Sequence, residues 1–267
     1  YEIMELCQGA GVPAMPVQNS MDRVKNDPQL KHREIFRDVM HPALGTWPLQ
    51  NAPFTMSGTP AFNSRSGPLI GGHNKEVYEG LLGISHEDLV NGFEDGTFWP
   101  KNLAMDDYPY FKNMMADASS LQWQGNEPNA NPGPKPSRTP DADTAGAFGG
   151  LRVLELADEK GQWCGKQMAD MGADVIKIEP PGGGSARSVG PFYQDIPDKE
   201  KSLYFWHYNT SKRGITLDLE SEDGRRILRQ MAEKADVILE TFRPGYIASL
   251  GVGDEDLTKR HPGLIVC

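Results

Sequence analysis

The sequence predicts an α/β protein, with a Rossmann-like parallel-sheet unit in the second half and an α+β segment in the first. Three observations lead there. From Gly149 to the glycines Gly182–Gly184, an apolar run (Leu151–Leu156) is followed by a polar turn. Cys164, Met168 and Met171 at helical spacing come next, then a second apolar run, Val175–Ile178. That is the pattern of a βαβ unit. Downstream, short apolar runs again alternate with a helical pattern. Between the halves, Asn126–Gly150 is dense in Asn, Pro, Gly, Ser and Asp. Such a stretch buries too little to offset its ordering entropy, and it reads as a linker. The predicted division is 1–100, a linker over 101–148, and 149–267.

In the first segment, Ile3, Met4 and Cys7 mark a helix ending near Gly9 and Gly11. Ser20 is placed to cap a short helix, and Asp27-Pro28-Gln29 starts another. Phe36–Met56 alternates as strand, broken by His41, Pro42 and Gly45 in a hairpin-like turn. Pro68–Gly72 reads as a loop. His73 leads into a helix carrying Val77, Tyr78, Leu81 and Leu82, and Ser85 caps a last one. His32, His41, His73 and His86 fall in different elements without ligand spacing, so they are expected in turns or exposed to solvent.

In the second segment, Leu203–Trp206 is an aromatic apolar run and Asn209–Arg213 a basic loop. Ile215–Leu219 reads as strand, Ser221–Gly224 opens a helix through Ile227, Leu228 and Met231, and Ala235–Leu239 reads as a buried strand. Open parallel sheets bind ligands beyond the carboxyl ends of their strands. The loops Ala157–Trp163 and Pro180–Arg187, and the turn Glu240–Gly245, are therefore predicted to form the site.

Composition excludes several classes. A net charge of -10 argues against a nucleic-acid partner, which needs basic surface. Cys7, Cys164 and Cys267 lack the spacing of a zinc site or a disulfide framework, so no metal is expected and a cytoplasmic location is. No apolar run approaches a membrane span. The start at Tyr1 and the apolar run Leu264–Cys267 at the end predict a piece of a longer polypeptide.

The motifs GLRVLEL, GADVIKIEPPGGG, NTSKRGITLDLESEDGR, KADVILETFRPG and LGVGDEDLTKRHPGLIVC, in this order, resemble the amino-terminal portion of the family III (CaiB/BaiF-type) CoA-transferases. This group includes formyl-CoA transferase, carnitine CoA-transferase and the methylacyl-CoA racemases. The stretches GVPAMPVQNSMDRVKNDPQLKHREIF, APFTMSGTPA and GPLIGGHNKEVYEGLLGISHEDL resemble the carboxyl-terminal end of the same family. Tail motifs thus precede head motifs, the order of two fused family copies cut through the middle.

The resemblance implies transfer of CoA between carboxylic acids, with acyl-CoA and a carboxylate as substrates. A side-chain carboxylate attacks the donor thioester, giving a mixed anhydride and CoA thiolate. The thiolate then attacks the side-chain carbonyl, releasing the donor carboxylate and leaving an enzyme-bound CoA thioester that the acceptor carboxylate takes over. That aspartate is expected outside this stretch, and no catalytic residue is assigned within it, Asp174, Asp218 and Asp236 included. The implied partner is a second family copy, in an interlocked dimer or an intramolecular pseudo-dimer.

Coenzyme A contacts carried over from the family fall on Thr241, Phe242 and Arg243, on Leu217 in the stretch Leu217–Glu220, and on Glu159 and Lys160. A ring against a purine and an arginine near phosphate suit that role. Glu220 stands where a lysine is frequent, Gln162 replaces part of a Gly-Pro step, and Pro180 and Ser249 replace arginines. CoA binding then depends on compensation by Lys160, Arg187, Lys212 or Arg213.

Two alternatives to the transferase stay open: a racemase of the same fold, and a structural half completing a pseudo-dimer. A dinucleotide-binding oxidoreductase would use Glu179 on a ribose, but Ala157–Gly161 lacks the three-glycine spacing.

Overall fold

The computed structural model describes residues 1–104, 108 and 146–267. Most of the predicted linker lies outside the described residues.

The chain opens with α1 (Glu2–Gly9), α2 (Ser20–Lys25) and α3 (Pro28–His32). Asn19, not Ser20, caps α2: its side chain accepts from Asp22 N while Asp22 answers to Asn19 N. Asp27 caps α3, with Pro28 in its first turn as the sequence indicates. An antiparallel hairpin follows, β1 (Phe36–His41) and β2 (Gly45–Gln50). The helix after His73 is a single π-helical stretch, Glu76–Leu81, and α4 (His86–Glu94) is capped by Ser85 as expected.

The second half contributes β3 (Arg152–Leu156), α5 (Gln162–Asp170), β4 (Asp174–Glu179), α6 (Leu203–Tyr208), β5 (Arg213–Thr216) and α7 (Glu222–Ala232). It ends with β6 (Val237–Glu240), α8 (Tyr246–Ser249), α9 (Asp254–Arg260) and β7 (Ile265–Val266). The aromatic run at Leu203 is thus a helix, because Ser202 caps it by accepting from Phe205 N. The five strands form one parallel sheet in the order β5-β4-β3-β6-β7.

One face of the sheet carries Leu154, Ile176, Ile215 and Ile238 into the largest core cluster. That cluster takes Ile227 and Leu228 from α7, and it also takes Val77, Tyr78, Phe93, Phe98 and Trp99 from the first half. The opposite face is split. Val153, Val175 and Val237 pack with Ala169 of α5 toward the amino ends of the strands. Nearer the carboxyl ends the same face is charged: Lys177 Nζ donates to Glu155 Oε1 at 2.9 Å, and Lys212 Nζ lies 2.6 Å from Glu155 Oε2.

The outer edge of β5 is sealed by the first half. His73 Nδ1 accepts from Gly214 N at 3.1 Å, Asn74 Oδ1 from Thr216 N at 2.9 Å, and Thr97 O from Asp218 N at 2.8 Å. Two outward amides of the edge strand, and that of Asp218 just beyond its end, are thereby satisfied without a further strand. Among the described residues no helix is long and apolar enough to cross a membrane.

Of the four first-half histidines, His32 and His86 are exposed and His73 lies in a turn, as expected, while His41 departs from the expectation by ending β1; His41 and His73 are 4% and 7% exposed. His73 is buried because it seals β5. His41 closes the hairpin by accepting from Ala43 N, and its ring lies 4.7 Å from that of Trp206.

Candidate functional site

The strand order reverses between β3 and β6, so a ligand crevice is expected at their carboxyl ends. That point is stitched shut. Thr241 Oγ1 accepts from Asp158 N at 2.9 Å and donates to Asp158 Oδ1 at 2.8 Å. A Cβ at Gly161 would lie 2.6 Å from Thr241 Cγ2, so only glycine permits this approach.

The open space lies beside it, over the tips of β3, β4 and β5. A cleft of about 380 Å³ is walled by Leu156, Ile178, Leu217, Leu219, Phe242 and Tyr246. Both predicted loops reach it, through Ala157 and Asp158 on one side and Pro180 and Gly184–Ala186 on the other.

Each wall has a local cause. Ser221 caps α7 by accepting from Gly224 N, and its hydroxyl donates to Asp218 O, which pins the turn Asp218–Glu220 at the cleft mouth. After β6, Phe242 N donates to Glu240 Oε2, and Gly245 at φ 84° turns the chain into α8. The rings of Phe242 and Tyr246 then meet at 5.0 Å. The Tyr246 hydroxyl donates to Glu220 Oε1, and that bond together with burial pushes its pKa up to about 12.

The six carried-over positions separate into wall and rim. Leu217 and Phe242 line the cleft. Thr241 is spent on the Asp158 loop. Glu159 is exposed and accepts from Ser185 Oγ at 2.9 Å, tying the two loops across the rim. Lys160 is exposed and pairs with Asp158 at 2.6 Å. That bond raises the Lys160 pKa, and the neighbouring positive Arg243 opposes the rise. Arg243 itself is exposed.

Among the described residues, the charged groups lining the cleft are the acids Asp158, Glu179, Asp218 and Glu220 and one cation, Lys177. Burial would raise Asp158, but its bonds to Lys160 and Thr241 hold it below the ordinary carboxylate value. Glu179 is likewise held low, against its own burial, by the Arg187 guanidinium.

Three of the four cations expected to compensate do not. Arg187 is fully buried between Glu179 and Glu200. Lys212 is fully buried on Glu155, and burial pulls its pKa down to about 7. Arg213 pairs with Asp174 and Glu76 at the amino edge, away from the cleft. Only Lys160 remains at the rim, with Arg243 beside it. The same geometry disposes of a ribose role for Glu179, whose carboxylate receives Arg187 Nε and Nη2. Asp174 and Asp236 sit at the amino edge, held by Arg152.

The sequence reading missed Glu155 and Lys177, which meet under the cleft. Their signal was a charged residue inside each apolar run, since a strand buried on both faces has no solvent side for it. No group of three or more metal-binding side chains forms among the described residues.

The model of CoA-transferase family III matches residues 1–74 and 148–267. The chain is 39% identical over 118 residues to the succinyl-CoA:(R)-benzylsuccinate CoA-transferase subunit BbsE of Thauera aromatica, covering 44% of this chain and 29% of that one. It is 40% identical over 121 residues to the succinyl-CoA:mesaconate CoA-transferase of Haloarcula hispanica, covering 45% and 31%. A crystal structure of the Mycobacterium tuberculosis protein Rv3272 aligns at 37% identity with a TM-score of 0.41, over 46% of this chain and 32% of that one. The chain thus spans under a third of the length of each.

Proposed function

We propose that this chain, which belongs to CoA-transferase family III, supplies the coenzyme A-binding part of an acyl-CoA:carboxylate CoA-transferase. One observation carries the reading: an apolar cleft at the carboxyl ends of β3, β4 and β5, walled by Leu217, Phe242 and Tyr246, with Lys160 and Arg243 at its rim. A flat base fits between such walls, where stacking on an aromatic ring contributes about 1–3 kcal/mol. The phosphates then lie outward, toward the two exposed cations. The succinyl-CoA transferases among the relatives support an acyl-CoA donor and a carboxylate acceptor.

In this reading transfer passes through a carboxylate that takes CoA as a thioester. The cleft aspartates are poor candidates for it. Asp158 is tied to Lys160 and Thr241, and Asp218 Oδ1 accepts from Glu220 N at 3.0 Å. We assign the nucleophile to residues outside this chain, and the tail-before-head order to two fused family copies that pair as a pseudo-dimer.

A second reading has an observation of its own. Four acids line the cleft, and Arg187, Lys212 and Arg213 are all engaged elsewhere. A half that binds CoA weakly and acts as a structural partner would look like this. Calorimetric titration with CoA, on the chain and on Arg243→Ala, separates the two. A working site loses about tenfold or more in affinity with Arg243, the size of one charge-assisted contact. Equal affinities in the two proteins favour the structural half.

A further inference from the structure

The cleft wall formed by Pro180–Gly184 does not stand on the parallel-sheet unit alone. Gly182 and Gly183 have φ of 83° and 88°, and both back onto residues of the first half. A Cβ at Gly183 would lie 3.0 Å from Ile70 Cδ1, and one at Gly182 would lie 3.1 Å from Pro100 Cγ. The loop is therefore in direct contact with Ile70, which is 3% exposed, and with Pro100.

A continuous run of hydrogen bonds leads from the same place into the cleft. Ile70 N donates to Glu200 Oε1 at 2.7 Å. Arg187 Nη1 donates to Glu200 Oε2 at 2.7 Å, and Arg187 Nη2 donates to Pro68 O and to Glu179 Oε2, each at 2.8 Å. Glu179 Oε1 accepts from Gly184 N at 2.9 Å, and Glu179, Pro180 and Gly184 line the cleft. The guanidinium also lies 3.8 Å over the Phe205 ring. Every charged member of this relay is buried, so none can exchange its partner for water without a large cost.

We propose that Ile70 and Glu200 are positioning residues for the ligand cleft: by docking against the Gly182–Gly184 loop, the first-half segment around Pro68–Pro100 sets the cleft wall on which a ligand is received. The cleft then belongs to both halves jointly, although its lining comes from the second. The inference rests on the proposed function only for the identity of the ligand, coenzyme A.

Amide hydrogen exchange at Gly183 and Gly184, which donate to Pro180 O and Glu179 Oε1, reads the loop without any ligand. In Ile70→Ala and Glu200→Gln, exchange at these two amides is expected to accelerate about tenfold or more, beyond any change at the amides of β3 and β4 that report global opening. Ile70→Val loses Cδ1 but keeps Cγ1 against Gly183, so its exchange is expected to lie between those of the unsubstituted chain and Ile70→Ala. Pro100→Ala, at a partly exposed position, carries the same test if the buried substitutions do not fold. Loop exchange that is unchanged, or that rises only in step with β3 and β4, overturns the proposal. CoA titration of the same proteins is read separately. Weaker binding in proportion to loop exchange extends the proposal to the ligand, and absence of binding in the unsubstituted chain counts against the proposed function while leaving the exchange result to decide the positioning role.

Discussion

Gly165 shows how narrowly single residues fix the floor of the cleft. A Cβ there would lie 1.7 Å from Glu155 Oε2 and 3.4 Å from Lys212 Nζ, so the helix can cross the buried carboxylate only where it has no side chain. Gly165→Ala must displace Glu155 from Lys212 or push α5 off the sheet. Overpacking plus a disturbed buried ion pair predicts a loss of about 3 kcal/mol or more, read as a lower urea midpoint. The buried histidines predict an acid response. Burial lowers His41 and His73 to about 3, with the positive charges of Arg187 and Arg65 adding to the effect. Their folded pKa values lie below the unfolded value, so the unfolded chain binds more protons as pH falls through 6.5. Stability is therefore full above that pH and declines below it. From pH 7 to 5.5 the two together remove about 2–3 kcal/mol, and His41→Phe halves the decline in urea melts at the two pH values.

The elements tell which parts of the fold the sequence made legible. Apolar runs located β3, β4 and β6, and cap residues at Ser85 and Ser221 located α4 and α7, because both signals are local. The β5 reading, Ile215–Leu219, started late and ran too far. The strand begins at Arg213, whose charge is satisfied by Asp174 from the neighbouring strand, and Leu217–Glu220 turns instead into the capping loop of α7. No window of sequence shows such a partner. The seal on β5 was equally out of reach, since its acceptors lie more than a hundred residues away. It has a measurable consequence. Asn74 is fully buried and exchanges two hydrogen bonds with Thr216, so Asn74→Ala leaves the Thr216 amide without its acceptor. That predicts a loss of about 2 kcal/mol with an unchanged denaturant slope in equilibrium urea unfolding.

At the scale of the whole molecule, the two halves share one core and one ionic layer. Tyr78 and Phe98, stacked with ring centroids at 4.2 Å, pack into the same cluster as Ile176 and Ile215. Lys166 of α5 binds Asn63 Oδ1 at 2.8 Å as well as Asp170, carrying the charged side of the sheet into the first half too. The site followed the same rule as the elements. Phe242 was readable because it follows an apolar run at a strand end, whereas Leu217 was named only through the family resemblance. The commitment of Arg187 and Lys212 to buried carboxylates was not, because a basic residue in a polar loop looks the same in sequence whether it faces solvent or a glutamate. The central claim is that coenzyme A enters at the carboxyl tips of β3, β4 and β5. Hydrogen-exchange mapping of the chain with and without saturating CoA tests it most directly. The account predicts protection confined to Ala157–Lys160, Pro180–Ala186, Leu217–Glu220 and Phe242–Tyr246. Protection at the amino edge around Arg65, Asp174 and Arg213, or no protection at saturating CoA, would contradict it.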